Sequence, residues 1–252
     1  MIDLHSHLLP GVDDGSKSVE QSVRVLRHFV DRGVTEVCLT PHMTVGKAEA
    51  GIPREWDSIL GALAAQAPRG IRLHRGVEMM LDRPLTAAAA DRRFTLGGTR
   101  YLLVEFPRLV AETAVLNALA QVARMDLVPV LAHPERYSCC SVEAVRHWKG
   151  VTGALMQVDA TTITMPRTRG ERARQLLAAG LADILAADNH GDDRSLATAR
   201  EALGQRNRLS AELLLELNPA AILADGPTEE VPPVRLKESL LNRLRTLLDS
   251  GP

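Results

Sequence analysis

The stretch Ile2-Asp3-Leu4-His5-Ser6-His7 places two histidines at the end of a short, mostly apolar run. Side chains two residues apart in a β-strand point to the same side, so both imidazoles could bind one metal ion from a strand end. Shortly afterwards, Asp13-Asp14-Gly15 adds two carboxylates on a turn that ends in glycine. Their spacing does not show which of the two would bind metal. A His-x-His pair is weak evidence by itself, so its meaning depends on the later strands.

Short apolar runs alternate with longer amphipathic stretches along the rest of the chain. The runs that predict strands are Ile2–His7, Val34–Thr40, Ile71–Met79, Tyr101–Phe106, Leu127–Ala132, Ala154–Asp159 and Ala182–Ala187. Helical spacing predicts a first helix that is capped at Ser18 and ends at Gly33. Further helices are predicted over Pro53–Ala67, Glu112–Met125, Ser141–Trp148, Arg169–Ala179, Leu196–Leu203 and Ala211–Leu217. Strands that alternate with helices indicate an α/β fold with a parallel sheet.

Polar residues at the strand ends distinguish between the two architectures that this alternation allows. In a (β/α) barrel the carboxyl ends of all strands surround one mouth. In an open doubly wound sheet only the strands near the switch point would meet. Histidine or a carboxylate stands at the end of nearly every predicted strand, so the sequence favours a TIM-like barrel. The segment from Asp82 to Gly98 is less regular and is expected to hold a small insertion.

The candidate metal ligands are the histidines and carboxylates at these strand ends and in the adjoining turns. They are His5, His7, Asp14, His42, Glu78, Glu105, His133, Asp188 and His190. A mixed set of nitrogen and oxygen ligands suits Mn, Fe or Zn. The set is too large for one ion, so we expect two or three ions, about 3.5–4 Å apart where carboxylates bridge them. Such a site is typical of metal-assisted hydrolysis.

Two arginines follow candidate ligands closely, and they bear on the substrate. Arg136 stands shortly after His133, and Arg194 shortly after His190. A guanidinium group can bind two phosphate oxygens at once, although each arginine could also be an ordinary surface residue in a polar loop. Beside a site for several metal ions, the two arginines favour a phosphate ester over a peptide or amide as substrate.

The composition is typical of a globular protein, and it shows no excess of basic residues that would favour binding to polyanions. The chain has 252 residues, 45% hydrophobic residues and a formal net charge of -1. We therefore expect neither nucleic-acid binding nor membrane insertion, because basic excess is lacking and no apolar run reaches the roughly 20 residues of a bilayer span. Asp3, His5 and His7 stand where a signal peptide would be cationic or apolar, and three cysteines are too few for a disulfide framework. A cytoplasmic protein is expected.

The chain is predicted to divide near residue 225. Residues 1–225 would form the barrel, and the stretch Asp225–Pro233, rich in proline and acidic residues, is typical of a linker. An apolar stripe then predicts a last helix within residues 226–252, which would pack on the barrel or serve in assembly. The stripe consists of Leu236, Leu240, Leu244, Leu247 and Leu248. The sequence leaves the oligomeric state open.

One spacing imitates a different kind of phosphatase. Cys140 and Arg146 have the C-x5-R spacing of cysteine-dependent tyrosine phosphatases. In those enzymes a glycine-rich loop binds phosphate, whereas the residues between Cys140 and Arg146 lack glycine, include a carboxylate and fit a helix. We interpret this spacing as coincidence, and the sequence assigns no role to Cys139 or Cys140.

Several motifs together resemble a known superfamily. They are His5-Ser6-His7, Val12-Asp13-Asp14-Gly15, Thr40-Pro41-His42, Gly76-Val77-Glu78, Glu105-Phe106-Pro107, Ala132-His133-Pro134-Glu135-Arg136-Tyr137 and Asp188-Asn189-His190. Over residues 1 to about 225 the chain resembles the PHP (polymerase and histidinol phosphatase) superfamily. More closely, it resembles the bacterial manganese-dependent protein-tyrosine phosphatases of capsular and exopolysaccharide loci.

The resemblance implies a distorted (β/α)7 TIM-like barrel of the PHP fold with a three-metal site, most readily for Mn2+. The nine candidate ligands match the family's ligands by position, and Arg136 and Arg194 match its phosphate-binding arginines. The loop Asn189–Arg194 is one residue shorter than the usual pattern. The implied substrate is the phosphotyrosine tail of a bacterial tyrosine autokinase that regulates capsule and exopolysaccharide synthesis. Two alternatives stay open, a small-molecule phosphatase of the histidinol-phosphatase type and a non-catalytic regulatory module.

Overall fold

The computed structural model of the protein describes residues 1–236. The strands are β1 (Ile2–Ser6), β2 (Glu36–Leu39), β3 (His42–Thr44), β4 (Arg72–Arg75), β5 (Glu78–Met80), β6 (Tyr101–Glu105), β7 (Val128–Ala132), β8 (Leu155–Asp159) and β9 (Ile184–Ala186). The helices are α1 (Val19–Asp31), α2 (Val45–Ala48), α3 (Glu55–Gln66), α4 (Glu112–Ala123), α5 (Val142–Thr152), α6 (Arg167–Ala178), α7 (Leu196–Leu203), α8 (Arg208–Glu212) and α9 (Asn218–Leu223).

The strands form two parallel sheets. One sheet has the order β1-β2-β4, and the other has the order β3-β5-β6-β7-β8-β9. An isolated bridge between Ser6 and Asn189 connects the end of β1 to the chain just after β9. The predicted α/β class with parallel strands is confirmed. Within residues 1–236 the strands are hydrogen-bonded as two sheets linked by this bridge, and not as one continuous ladder around a barrel.

Two breaks in the chain explain why there are more strands than expected. The predicted strand Ile71–Met79 is divided at Gly76-Val77, and the strand expected to end at Thr40 is followed by a further short strand, β3. Each break moves the chain from the first sheet to the second. The breaks are held by backbone hydrogen bonds, from Gly76 N to Leu39 O and from Glu78 N to Pro41 O. As a result His42 and Glu78 are paired neighbours in the second sheet.

The core consists largely of leucine, valine, isoleucine and alanine, because aromatic residues make up only 3% of the chain. Helix α1 is capped as expected, since the Ser18 side chain accepts a hydrogen bond from Gln21 N. The Gln21 side chain accepts from Lys17 N, so the capping box is only half formed. The predicted helix Ala211–Leu217 begins earlier, as α8, and continues into a π-helical turn over Leu213–Leu217.

The predicted linker begins as a packed segment. Residues 226–236 contain neither helix nor strand, yet Val231 and Val234 are buried in the core. Val234 N donates to Leu177 O on α6, at 2.8 Å. The predicted last helix, with four of its five stripe leucines, lies outside the described residues, so the proposed division near residue 225 stays a prediction. Across residues 1–236, no helix is both long and apolar enough to cross a membrane.

Candidate metal centre

The nine candidate ligands come together at the carboxyl ends of the strands. They form four overlapping groups in which the ligand atoms of each group lie within 4.8 Å of one another. The groups are His7, Asp14, His42 and His190; His5, His7 and Asp188; His5, Glu78 and His133; and His42, Glu78 and Glu105. Shared members connect the four groups into one cluster.

The deepest part of the cluster combines the two histidines of the N-terminal motif with two carboxylates. His5 Nε2 lies 3.3 Å from Glu78 Oε1 and 3.2 Å from Asp188 Oδ1. His7 Nε2 lies 3.4 Å from Glu78 Oε2 and 3.3 Å from Asp188 Oδ1. All four side chains are buried. His5, His7 and Asp188 therefore form one group of close ligand atoms, and Glu78 approaches both histidines.

Glu78 joins this part of the cluster to two further groups. Its Oε1 atom lies 2.8 Å from His133 Nε2, and its Oε2 atom lies 2.9 Å from His42 Nδ1. His42 Nδ1 is also 3.0 Å from Glu105 Oε1. Glu78 is thus a member of two groups, and its carboxylate could help to hold a metal ion in either of them.

The outermost part of the cluster faces solvent. Asp14 Oδ1 lies 3.3 Å from His42 Nε2 and 3.5 Å from His190 Nε2. The rings of His7 and His190 are stacked, with centroids 4.1 Å apart. The side chain of Asp14 is 69% exposed, whereas those of His5 and Asp188 are fully buried. The cluster therefore runs from a buried base to an open mouth.

The structure separates the roles of Asp13 and Asp14. Asp13 Oδ2 is 2.7 Å from His7 Nδ1 and accepts a hydrogen bond from His42 N, while its Oδ1 atom accepts from Gly15 N. Burial opposes ionisation of Asp13, but the hydrogen bond from His7 dominates, and the pKa is lowered to about 2. An ionised carboxylate only accepts, so His7 donates from Nδ1, and Nε2 is the atom that would bind a metal. Asp13 orients His7, whereas Asp14 faces the candidate ligands His42 and His190.

Three other residues that support the site are absent from the sequence-based prediction. Gln157 Oε1 is 2.8 Å from His5 Nδ1 and fixes that ring as Asp13 fixes His7. Asp3 accepts hydrogen bonds from Ala187 N and His5 N, and burial raises its pKa to about 7. Asp159 Oδ2 lies 2.9 Å from Arg136 Nη2. Asp159 ends a predicted strand, so its position was a usable signal, whereas no local pattern distinguishes Gln157.

Both predicted arginines lie beside the buried carboxylate of Asp188. Arg136 Nη2 contacts Asp188 Oδ2 directly as well as Asp159. Arg194 Nη1 is 3.7 Å from Asp188 Oδ2, and its Nε and Nη2 atoms lie 2.8 Å from Asp192 Oδ2. Both guanidinium groups retain some solvent exposure. They add positive charge at one side of the cluster.

Electrostatics keep the central carboxylates ionised. Burial alone would favour the neutral acids, but the surrounding histidines and Arg136 hold the pKa values of Glu78 and Asp188 well below their usual range. At His42, the contacts with the Glu105 and Glu78 carboxylates outweigh burial and raise the pKa to about 10. Without bound cations, protonated histidines therefore balance the carboxylates, and metal binding would have to displace those protons.

Buried atoms without hydrogen-bond partners show that the residues fit metal ions. Among the described residues these atoms include His42 Nδ1, Glu78 Oε2, Glu105 Oε1 and Asp188 Oδ1. Unpaired buried polar atoms are costly, and native proteins rarely tolerate several together. Neighbouring histidine nitrogens lie near them without hydrogen-bonding geometry. Divalent cations would pair with all four atoms, so the donor set fits a cluster of metal ions.

A parallel α/β architecture with histidines and carboxylates clustered at the strand ends is an arrangement that could hold metal ions. A family model described as "Capsular polysaccharide synthesis, CpsB/CapC" matches residues 1–224. The chain belongs to this family, and its fold is of the PHP type, which confirms the resemblance seen in the motifs.

Named relatives and a solved structure agree with this assignment. The tyrosine-protein phosphatase CpsB of Streptococcus pneumoniae is 27% identical over 204 residues, which are 77% of this chain and 84% of that protein. The tyrosine-protein phosphatase YwqE of Bacillus subtilis is 30% identical over 139 residues, 54% of this chain and 55% of that protein. The fold matches a chain from the crystal structures of YwqE and CpsB, described as metal-dependent tyrosine phosphatases. The TM-score is 0.79 at 23% identity, covering 95% of this chain and 100% of that chain.

Proposed function

We propose that this protein is a metal-dependent protein-tyrosine phosphatase. The observation that carries the proposal is the convergence of nine histidine and carboxylate ligands beside two arginines. The names of the curated relatives support the choice of phosphotyrosine as the hydrolysed group. The proposed substrate is the phosphotyrosine tail of a bacterial tyrosine autokinase that regulates capsule and exopolysaccharide synthesis.

Each part of the cluster would hold one of two or three ions, with Mn2+ as the proposed metal and Fe or Zn as alternatives that the same ligands accept. Metal ions bound here would supply Lewis acidity and lower the pKa of water for hydrolysis. The proposed ligands are His5, His7, Asp14, His42, Glu78, Glu105, His133, Asp188 and His190.

The protein's own groups fix this arrangement and bind the phosphate. Asp13 and Gln157 hold His7 and His5 with their Nε2 atoms toward the cluster. Asp159 holds Arg136 at the edge, where its guanidinium and that of Arg194 would bind equatorial phosphate oxygens and stabilise developing negative charge. A phenolate leaving group, with a pKa of about 10, departs more readily than an alkoxide, so a dedicated general acid is not required.

The open mouth favours a protein substrate over a small metabolite. The His42 side chain is 37% exposed, and Asp14 is more exposed still. A phosphotyrosine at the end of a polypeptide can reach such a mouth while the rest of the chain stays in solvent. A histidinol-phosphatase would be expected to enclose its substrate. We propose the cytoplasm as the compartment, which fits the three unpaired cysteines Cys38, Cys139 and Cys140.

A reconstitution assay tests the proposal. The metal-depleted protein is loaded with Mn2+ and assayed with a phosphotyrosine peptide and, in parallel, with histidinol phosphate. We expect metal-dependent release of phosphate from the peptide, abolished in His42→Ala and retained in the control His147→Ala, since His147 is exposed on α5. Faster hydrolysis of histidinol phosphate would overturn the choice of substrate. No hydrolysis of either ester by the loaded protein would favour the non-catalytic module.

A further inference from the structure

A groove with a volume of about 760 Å³ adjoins the metal centre on the carboxyl side of the second sheet. The loops that follow β6, β7 and β8 line it, and Ser138 N joins the first two by donating to Arg108 O. Arginine is the most frequent lining residue. The five arginines are Arg108, Arg136, Arg167, Arg169 and Arg172. Because Arg136 also contacts Asp188 in the metal centre, the groove and the centre share a wall.

Two of these arginines have no structural task in the described part of the chain. Arg136 is held by Asp159 and Asp188, and Arg172 donates to the backbone oxygens of Tyr137 and Ser138. Arg108 and Arg169, in contrast, are exposed, and neither has a carboxylate at ion-pair distance within residues 1–236. Their guanidinium groups are therefore available to a ligand.

The electrostatic surroundings of Arg169 agree with this reading. Partial burial and then repulsion from Arg108 and Arg136 lower the pKa of Arg169, against a smaller opposing effect of nearby carboxylates. Arg169 thus lies close to two other cationic side chains, and its repulsion from each of them exceeds its attraction to either Glu135 or Asp159. An anionic ligand would relieve this repulsion, as clustered arginines do in sites that recognise phosphorylated residues.

Apolar surface accompanies the positive charge. Leu109 is 87% exposed and Met165 is 43% exposed, and both line the groove together with Pro166. Large apolar side chains that remain in solvent next to a cavity are typical of contact surfaces. The groove therefore offers contacts for an aromatic ring as well as for an anionic group.

We propose that the groove is a second phosphotyrosine subsite. It would bind another phosphorylated tyrosine of the same polypeptide whose first phosphotyrosine is at the metal centre. The inference rests on the proposed function. A phosphotyrosine has the matching chemistry, because its phosphate carries a charge of about -1.5 to -2 at pH 7 and its ring can contact Leu109 and Met165. The subsite would give multiply phosphorylated chains a lower KM than singly phosphorylated ones.

Binding and turnover of matched peptides test the proposal. One peptide carries two phosphotyrosines one to four residues apart, and its partner carries one phosphotyrosine and one tyrosine. We expect the full-length wild-type protein to show at least about a tenfold higher kcat/KM for the doubly phosphorylated peptide, through KM. In the double variant Arg108→Ala/Arg169→Ala this advantage should disappear, while kcat and the hydrolysis of free phosphotyrosine stay unchanged.

The control variant Arg24→Ala/Arg27→Ala removes the same charge from exposed positions on α1 and should keep the preference. Fluorescence anisotropy with non-hydrolysable phosphonate versions of both peptides measures binding independently of turnover. An undiminished preference in Arg108→Ala/Arg169→Ala would overturn the subsite. Equally tight, arginine-dependent binding of single-stranded RNA would also overturn it, in favour of a nonspecific polyanion surface. Absence of phosphotyrosine hydrolysis would instead refute the proposed function. The anisotropy measurement would still show whether the groove binds a second phosphotyrosine.

Discussion

Two regions of this protein combine histidine with carboxylates, and they differ in how their polar atoms are paired. In the first sheet, His74 Nε2 lies 2.7 Å from Glu36 Oε2, and Arg72 Nη2 lies 3.2 Å from Glu36 Oε1. Each charged group there has a nearby partner and some contact with solvent. At the candidate metal centre, several buried oxygens and nitrogens face one another without hydrogen-bonding geometry.

This difference in pairing shows which feature indicates a candidate metal site. The His74–Glu36 pair is complete as it stands, since its hydrogen bond satisfies both partners. The candidate metal centre differs, because Glu78 Oε2 and Asp188 Oδ1 are buried and accept no hydrogen bond from any of residues 1–236. Residue type is the same in both regions, so it is the unsatisfied bonding capacity that distinguishes a ligand from a structural residue.

The largest expected effect comes from removing a ligand at the buried base of the centre. His5→Ala should lower kcat/KM on a phosphotyrosine peptide by at least about 10³-fold, equivalent to roughly 4 kcal/mol. The matched change His74→Ala removes an imidazole from the other region and should alter kcat/KM less than about threefold. Steady-state kinetics, with metal content measured on both variants, check this. Equal losses in the two variants would contradict the distinction drawn between the regions.

Removal of metal should destabilise the protein through the centre. A ligand present at 100 times its Kd stabilises the folded state by about 2.7 kcal/mol. For a chain of this size we expect chelation to lower Tm by roughly 5–10 °C. Differential scanning calorimetry with and without Mn2+ measures the shift. His74→Ala should retain the metal-dependent shift and His5→Ala should lose most of it, so a shift retained in His5→Ala would count against metal binding at this position.

A smaller effect is expected when a residue that orients a ligand is changed. Asp13→Asn retains size but replaces the anionic acceptor of His7 Nδ1. Changes of this kind typically cost 10- to 100-fold in metal affinity or activity. Isothermal titration with Mn2+ should therefore show weaker binding, and excess metal should restore much of kcat. Asp57→Asn, at an exposed ion pair with Arg75, is the control. Unchanged affinity in Asp13→Asn would show that Asp13 does not orient His7.

The sequence predicted which residues form the cluster better than it predicted the structural features that hold those residues in place. All nine candidate ligands stand at strand ends or in adjoining turns, and parallel strands bring such positions together. The breaks at Pro41 and Gly76 were not predicted, because they depend on hydrogen bonds between segments far apart in sequence. The role of Gln157 likewise depends on its pairing with Ala132 and its reach to His5. Local patterns cannot show either relation.

The choice between Asp13 and Asp14 failed at the sequence level for a related reason. Asp13 and Asp14 have the same side chain. Their distances from His7 along the chain differ by only one position. Only the folded turn shows that Asp13 accepts from Gly15 N and His42 N, which leaves Asp14 to face His190. A Cβ atom at Gly15 would lie 2.0 Å from His7 O, so the turn itself depends on glycine.

The smallest expected effect comes from a third region, in which Cys140 and Arg146 have the spacing of a cysteine-dependent phosphatase. Cys140 is buried, and burial raises its thiol pKa to about 12, so the nucleophilic thiolate is scarce at neutral pH. Ser141 caps α5, which places the following residues in a helix instead of a phosphate-binding loop. Cys140→Ser should therefore change kcat less than about twofold, as should the control Cys139→Ser, with at most about 1 kcal/mol lost in stability. Complete loss of hydrolysis in folded Cys140→Ser alone would overturn the metal-dependent mechanism, because no proposed ligand or phosphate-binding group is altered by that change.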